Sequence, residues 1–135
     1  PLKLTYLPRI SENIRYVQAT FQNAMEKTKY NGTYTYCYCT KSSHFSFVME
    51  EALKNKNVHM ETSSSFDIPI VRSLYNKGKV TKDTYVLCNG FKRPLYMQYI
   101  TELLNDGFKN CIPILDNLYE MDHYEAGVNV PYKVG

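Results

Sequence analysis

Apolar positions along the chain switch between two spacings, every second residue over short runs and every third or fourth over longer ones. Leu2, Leu4 and Tyr6 alternate with polar or small neighbours, so Leu2 to Leu7 reads as a strand that Pro8 closes. Ile10, Ile14, Val17, Phe21 and Met25 then recur at helical spacing, with Ser11 and Glu12 as cap-type residues near the start. Asn31-Gly32 punctuates the exit. Thr33 to Thr40 is rich in β-branched and aromatic residues and reads as a strand. Phe45, Val48, Met49, Ala52 and Leu53 make an amphipathic helix, and Val58 to Glu61 a short strand. Ser63-Ser64-Ser65 before Phe66 and Asp67 resembles a helix cap, with Pro69 in the first turn, where a missing N–H costs little.

The alternation continues to the end of the chain. A helix from Phe66 to Asn76 stops at Gly78, Tyr85 to Cys88 is a strand, and Pro94 to Asn105 is a helix ending at Gly107. Cys111 to Leu115 is an apolar strand, Leu118 to Ala126 a helix, and Pro131 to Gly135 looks like the start of another strand. Strand centres near Tyr36, Met60, Val86 and Ile112 lie roughly 25 residues apart, the length of a strand, loop, helix and loop. The expectation is an α/β chain with a parallel sheet and no internal linker. Such sheets carry chemistry at the carboxyl ends of their strands. That ordering selects Lys41 to His44, Glu61 to Ser64, Asn89 to Lys92 and Asp116-Asn117, each a polar cluster directly after an apolar strand.

Composition narrows the field further. With 135 residues, 44% of them apolar and 21% charged, the chain can bury a core but is too short for a whole (β/α)₈ barrel, which needs about 250. A net charge of +3, dispersed along the sequence, gives no argument for nucleic acid or an anionic membrane as partner. No apolar run approaches the roughly 20 residues of a membrane span, and the expected setting is soluble and cytoplasmic. Cys37, Cys39, Cys88 and Cys111 all fall inside strand-like segments, which points to reduced, buried thiols. His44 is not spaced from Cys37-Tyr38-Cys39 as a zinc ligand would be, so no metal is expected.

Alternation places Tyr34, Tyr36 and Tyr38 on one face of their strand, with Thr35, Cys37, Cys39 and Lys41 on the other. The aromatic face suits packing against helices, and the small-residue face leaves room within a sheet or barrel. A lysine at the end of that small face is either an ordinary solvated side chain or, if enclosed, an amine freed to attack an aldehyde.

Tyr36-Cys37-Tyr38-Cys39-Thr40-Lys41-Ser42-Ser43, a helix, and then His59-Met60-Glu61-Thr62-Ser63-Ser64-Ser65-Phe66-Asp67 resemble the fold-type III pyridoxal-phosphate decarboxylases of basic amino acids. Cys88-Asn89-Gly90-Phe91-Lys92 is similar to the Cys-Asn-Gly-Tyr-Lys segment of the biosynthetic arginine decarboxylases in that family. The resemblance covers essentially the whole chain. It implies the amino-terminal half of a (β/α)₈ barrel of the alanine-racemase and ornithine-decarboxylase type, residues 9–135, preceded over residues 1–8 by one strand of a second, β-rich domain. Thr33 to Thr40 would be the first barrel strand, and Val134-Gly135 the beginning of the fifth.

Position by position, Lys41 matches the lysine that carries pyridoxal 5'-phosphate as an imine. Glu61 matches an acidic residue near that lysine and the cofactor, and Asp67 a second one at the start of the next helix. Taken without the resemblance, these are a solvated strand end and a helix-dipole carboxylate. His44 is expected to help the turn or line the rim, and Lys92 to be structural or solvated. The implied activity is decarboxylation of a basic L-amino acid, arginine first, in polyamine biosynthesis, by a homodimer of the full-length protein. Thr40-Lys41-Ser42-Ser43 departs from the Ile-Lys-Val-Asn wording of many arginine decarboxylases, which leaves ornithine, diaminopimelate or carboxynorspermidine as alternative substrates. The family's glycine-rich phosphate cradle, its cofactor-stacking histidine and the acidic partner of the pyridine nitrogen match nothing in this sequence. Residues 1–135 alone are expected to be inactive and prone to association or swapping through exposed sheet edge. The rivals are a non-catalytic pyridoxal-phosphate-binding barrel and an α/β interaction module without cofactor.

Overall fold

A computed structural model describes residues 1–135. The elements, in order, are α1 (Pro8–Thr28), β1 (Tyr36–Cys39), a 3-10 turn (Thr40–Ser42), α2 (Ser46–Leu53), β2 (Val58–Thr62), α3 (Asp67–Asn76), β3 (Val86–Cys88), α4 (Pro94–Asn105), β4 (Cys111–Pro113) and α5 (Leu118–Gly127). The strands form one four-stranded sheet in chain order, β1-β2-β3-β4, and every pair is parallel. Tyr38 lies opposite Met60, Met60 opposite Val86, and Val86 opposite Cys111. Parallel neighbours cannot be joined by a tight turn, and α2, α3 and α4 supply the crossovers. The order runs without the reversal that defines a doubly wound sheet.

Burial alternates along β2, β3 and β4, and this decides where the core sits. Tyr38, Met60, Thr62, Val86, Cys88 and Cys111 are buried, whereas Cys37, Cys39, His59, Glu61, Leu87 and Ile112 are half-buried. Of the first set, Tyr38, Met60, Val86, Cys88 and Cys111 join Met49, Ala52, Ile68, Val71, Leu74, Ile100 and Leu103 from the helices in a single apolar cluster. Helices therefore cover one face of the sheet and leave the other open. Each of these larger side chains gains about 1.5–3 kcal/mol by leaving water.

Three readings of local structure change. Leu2 to Tyr6 forms no strand and Leu7 already has helical dihedrals at the start of α1; Leu2 and Leu4 are each 85% exposed, because no neighbouring strand lies alongside to complete a ladder. Strand β1 is shorter than Thr33 to Thr40: its partner begins at Val58, opposite Tyr36, so the residues before Tyr36 have nothing to pair with. Ser11 is not a cap. The helix starts at Pro8, whose fixed φ suits the first turn, and Ser11 is buried between α1 and α2. Its hydroxyl donates to Glu51 Oε1 (2.5 Å) and accepts from Asn55 Nδ2 (2.8 Å), fastening the two helices together. At the other end of the chain Gly135 N donates to Pro113 O (3.0 Å) and Leu115 N to Gly135 O (2.9 Å), extending the parallel ladder beyond β4. No helix is long and apolar enough to cross a membrane.

Candidate functional site

The register brings the four polar clusters to one edge. Cys39, Glu61, Leu87 and Ile112 form a row across the open face. At the carboxyl edge the ladder continues through Asn89, whose N–H donates to Thr62 O, and Ile114, whose N–H donates to Cys88 O, while Lys41 and Ser63 lie just past the ends of β1 and β2.

Lys41 sits at the centre of the 3-10 turn that ends β1. The turn is tied back to its strand: Ser42 Oγ donates to Cys39 O (2.6 Å), Ser43 N to Thr40 O (3.1 Å) and Tyr38 OH to Ser43 O (3.1 Å). Lys41 is exposed, makes no ion pair, and opens onto a cleft of about 600 Å³ lined by Lys3, Lys41, Ser42, Ser43, His44 and Phe45. The enclosure expected around this lysine is absent, because four strands wall only one side of it.

Glu61 is half-buried on the open face, and its Oε1 accepts from Asn89 Nδ2 (3.2 Å). Asn89 is itself held, its N–H on Thr62 O (2.8 Å) and its Oδ1 on Gly90 N (2.8 Å), an elbow that needs φ = +75° at Gly90. Across the pair, burial and then the Glu61 charge push the Cys37 thiol above its ordinary value.

Asp67 does something other than line that face. The serine run does not cap α3; instead the first residue of α3 caps the serines. Asp67 Oδ2 accepts from Ser63 N, Ser64 N (both 2.9 Å) and Ser64 Oγ (3.0 Å), while Oδ1 meets His44 Nε2 at 2.8 Å. Burial alone would raise its pKa; the Ser63 amide, His44 and the Ser64 hydroxyl outweigh burial and hold it below the ordinary value. His44 is thereby fixed beside the Lys41 cleft, the local role expected of it. Glu61 pairs in register with Cys39, two residues before Lys41, and Asp67 holds the Ser63-Ser64 loop that follows β2.

Lys92 is not solvated. It is buried, with Nζ on Gly90 O (2.8 Å), on Ile114 O, and on Glu120 Oε2 (2.9 Å). Glu120 was not among the expected residues, although Asn117-Leu118-Tyr119-Glu120 has the spacing of a capping box. Asn117 Oδ1 accepts from Glu120 N (3.1 Å) at the start of α5. The thiols of Cys88 and Cys111 touch at 3.7 Å in the core, and all four cysteines are free, with Cys37 and Cys39 only half-buried. No group of three or more histidine, cysteine or acidic side chains could hold a metal ion.

Chemically, the edge presents an exposed primary amine with hydroxyls, an imidazole and a second ammonium around it. An amine so placed can condense with an aldehyde. No protein-family model, curated protein or solved structure matches the chain.

Proposed function

We propose that the chain is part of a pyridoxal-phosphate-dependent decarboxylase acting on a basic L-amino acid, arginine in the first instance, and that it supplies the amino-terminal half of a (β/α)₈ barrel. The observation that carries the reading is the position of Lys41, an exposed and unpaired amine in the turn directly after β1. Three further features support it. The strands run in chain order, as they do around a barrel, and helices pack on one face only. Gly135 already pairs beside β4, where a fifth strand would lie. The cleft at Lys41, about 600 Å³, is of the size that holds a cofactor.

The residues present fit the cofactor. Lys41 Nζ is the amine that would hold its aldehyde, Lys3 and His44 would add donors at the rim, and Glu61 is the carboxylate on the neighbouring strand, opposite Cys39. When bound, pyridoxal phosphate supplies the electron sink that makes loss of a carboxylate feasible. The chain's own contribution is orientation. The turn bonded to Cys39 O and Thr40 O presents the amine, Asp67 and His44 brace the neighbouring loop, and Asn89 holds the Glu61 carboxylate. A cytoplasmic homodimer engaged in polyamine synthesis completes the proposal.

The test is pyridoxal phosphate added to the full-length protein, followed by absorbance and by carbon dioxide release from arginine, ornithine, diaminopimelate and carboxynorspermidine. Wild type should take on the colour of lysine-bound cofactor, and Lys41→Ala should lose it while keeping its fold. An unchanged spectrum in that variant would sink the assignment. A second reading, a non-catalytic cofactor-binding barrel, draws on Leu2 to Leu7, which pairs with none of the four strands. Colour without carbon dioxide release from any of the four substrates would favour it.

A further inference from the structure

Lys92 and Glu120 form the one ion pair whose two side chains are both completely buried, 0% exposed at each end. Burying two charges costs several kcal/mol per ion unless every lone pair and proton is engaged. Here they are. Lys92 Nζ donates to the carbonyls of Gly90 and Ile114 as well as to Glu120. Glu120 Oε1 accepts from Lys92 N (3.3 Å) and Asn117 Nδ2 (3.2 Å), and Oε2 from Asp116 N (3.4 Å). Glu120 itself sits in the first turn of α5, and every other partner lies in the two loops that follow β3 and β4 at the carboxyl edge. A pair needed only for core stability could sit anywhere in the core. This one clamps two loops, and Gly90, one of the clamped residues, adjoins Asn89, the sole side chain bonded to Glu61.

We infer that Lys92 and Glu120 are positioning residues, which hold the Asn89-Gly90 elbow and through it the Glu61 carboxylate, whose register partner Cys39 lies two residues before Lys41. The inference rests on the reading of Lys41 as the cofactor's lysine. The chain of contact is Lys92 Nζ to Gly90 O, Gly90 N to Asn89 Oδ1, and Asn89 Nδ2 to Glu61 Oε1. Releasing its first link lets the elbow drift while leaving Lys41 and its turn untouched. The variant of choice is Lys92→Met with Glu120→Met, which replaces the buried pair by apolar side chains of similar length and leaves no charge stranded.

The full-length protein loaded with pyridoxal phosphate is titrated with pH while the absorbance of Lys41-bound cofactor is followed, and kcat and KM are measured alongside. In the double variant, folded by circular dichroism, the titration midpoint should move by half a unit or more and kcat/KM fall about tenfold, as for supports of reacting groups elsewhere. Asn89→Ala should move the midpoint in the same direction, and adding it to the double variant should change little further. Glu120→Gln serves as the second variant: it keeps the shape and removes only the carboxylate's charge, leaving the buried Lys92 ammonium on the carbonyls of Gly90 and Ile114. A folded double variant with the wild-type midpoint and kinetics overturns the inference, as does an Asn89→Ala midpoint that stays put. If neither the double variant nor Glu120→Gln folds, the pair is a folding requirement and the inference also fails. Wild type that never binds the cofactor at Lys41 removes the reading underneath, an outcome distinct from all of these.

Discussion

Replacing Asp67 isolates the device that holds the loop after β2. Its Oδ2 takes three donors within 3.0 Å and its Oδ1 a fourth, His44 Nε2, at 2.8 Å. Asp67→Ala strands the N–H groups of Ser63 and Ser64. An unsatisfied buried donor costs about 1–3 kcal/mol, and because both serines are half-buried, water recovers part of it, leaving about 2–4 kcal/mol in total. Asp67→Asn keeps an oxygen for the serines but loses the charge, a difference of about 1 kcal/mol between charged and neutral acceptors. The pH dependence follows from the direction of the shift. Asp67 titrates below its ordinary value in the fold, so its stabilisation is complete above the unfolded carboxyl's pKa and is lost as pH falls through the folded one. Urea unfolding followed by circular dichroism should therefore show Asp67→Asn less stable than wild type at neutral pH, with the gap closing below about pH 4. Coincident unfolding curves at neutral pH, or a gap that persists unchanged in acid, would refute the argument.

Lys92→Met alone leaves the Glu120 carboxylate buried without its cation and should cost about 3–5 kcal/mol in urea unfolding, whereas the Lys92→Met, Glu120→Met double variant should cost far less; equal losses would show that the charges are not the issue. Burial lowers the pKa of His59, whose Nδ1 accepts from Tyr85 N at 3.0 Å and so must be unprotonated in the fold. The unfolded imidazole takes its proton first, so wild-type stability should fall as pH drops below the ordinary histidine value of about 6.5, and His59→Gln, which can still accept that N–H, should flatten this limb in thermal melts.

How much was legible in the sequence differs from element to element. Helix α4 begins and ends where Pro94 and Asn105 place it, because a proline at the first turn and an apolar stripe at helical spacing are local signals. Strand β1 was overextended, and Leu2 to Leu7 was given a ladder it lacks, because a strand's ends belong to its neighbour rather than to itself. The same division runs through the site. Lys41, Glu61 and Asn89 were selected by position alone, since each follows an apolar strand. Asp67 was placed correctly at the start of α3, yet its partners ran opposite to expectation: a carboxylate has lone pairs for several donors at once, and the turn of Ser63 and Ser64 aims two amides at it.

Local pattern, then, determined the alternation of helices and strands, the parallel α/β character, and the edge on which polar side chains gather, for these depend on spacings of two and of three to four residues that a chain carries within itself. Only the tertiary structure decided that Lys92 is buried, that Glu120, 28 residues further on, is its partner, and that Lys41 is exposed. Whether a charge is paired or solvated depends on what another element brings within 3 Å of it, and no window along the sequence contains both.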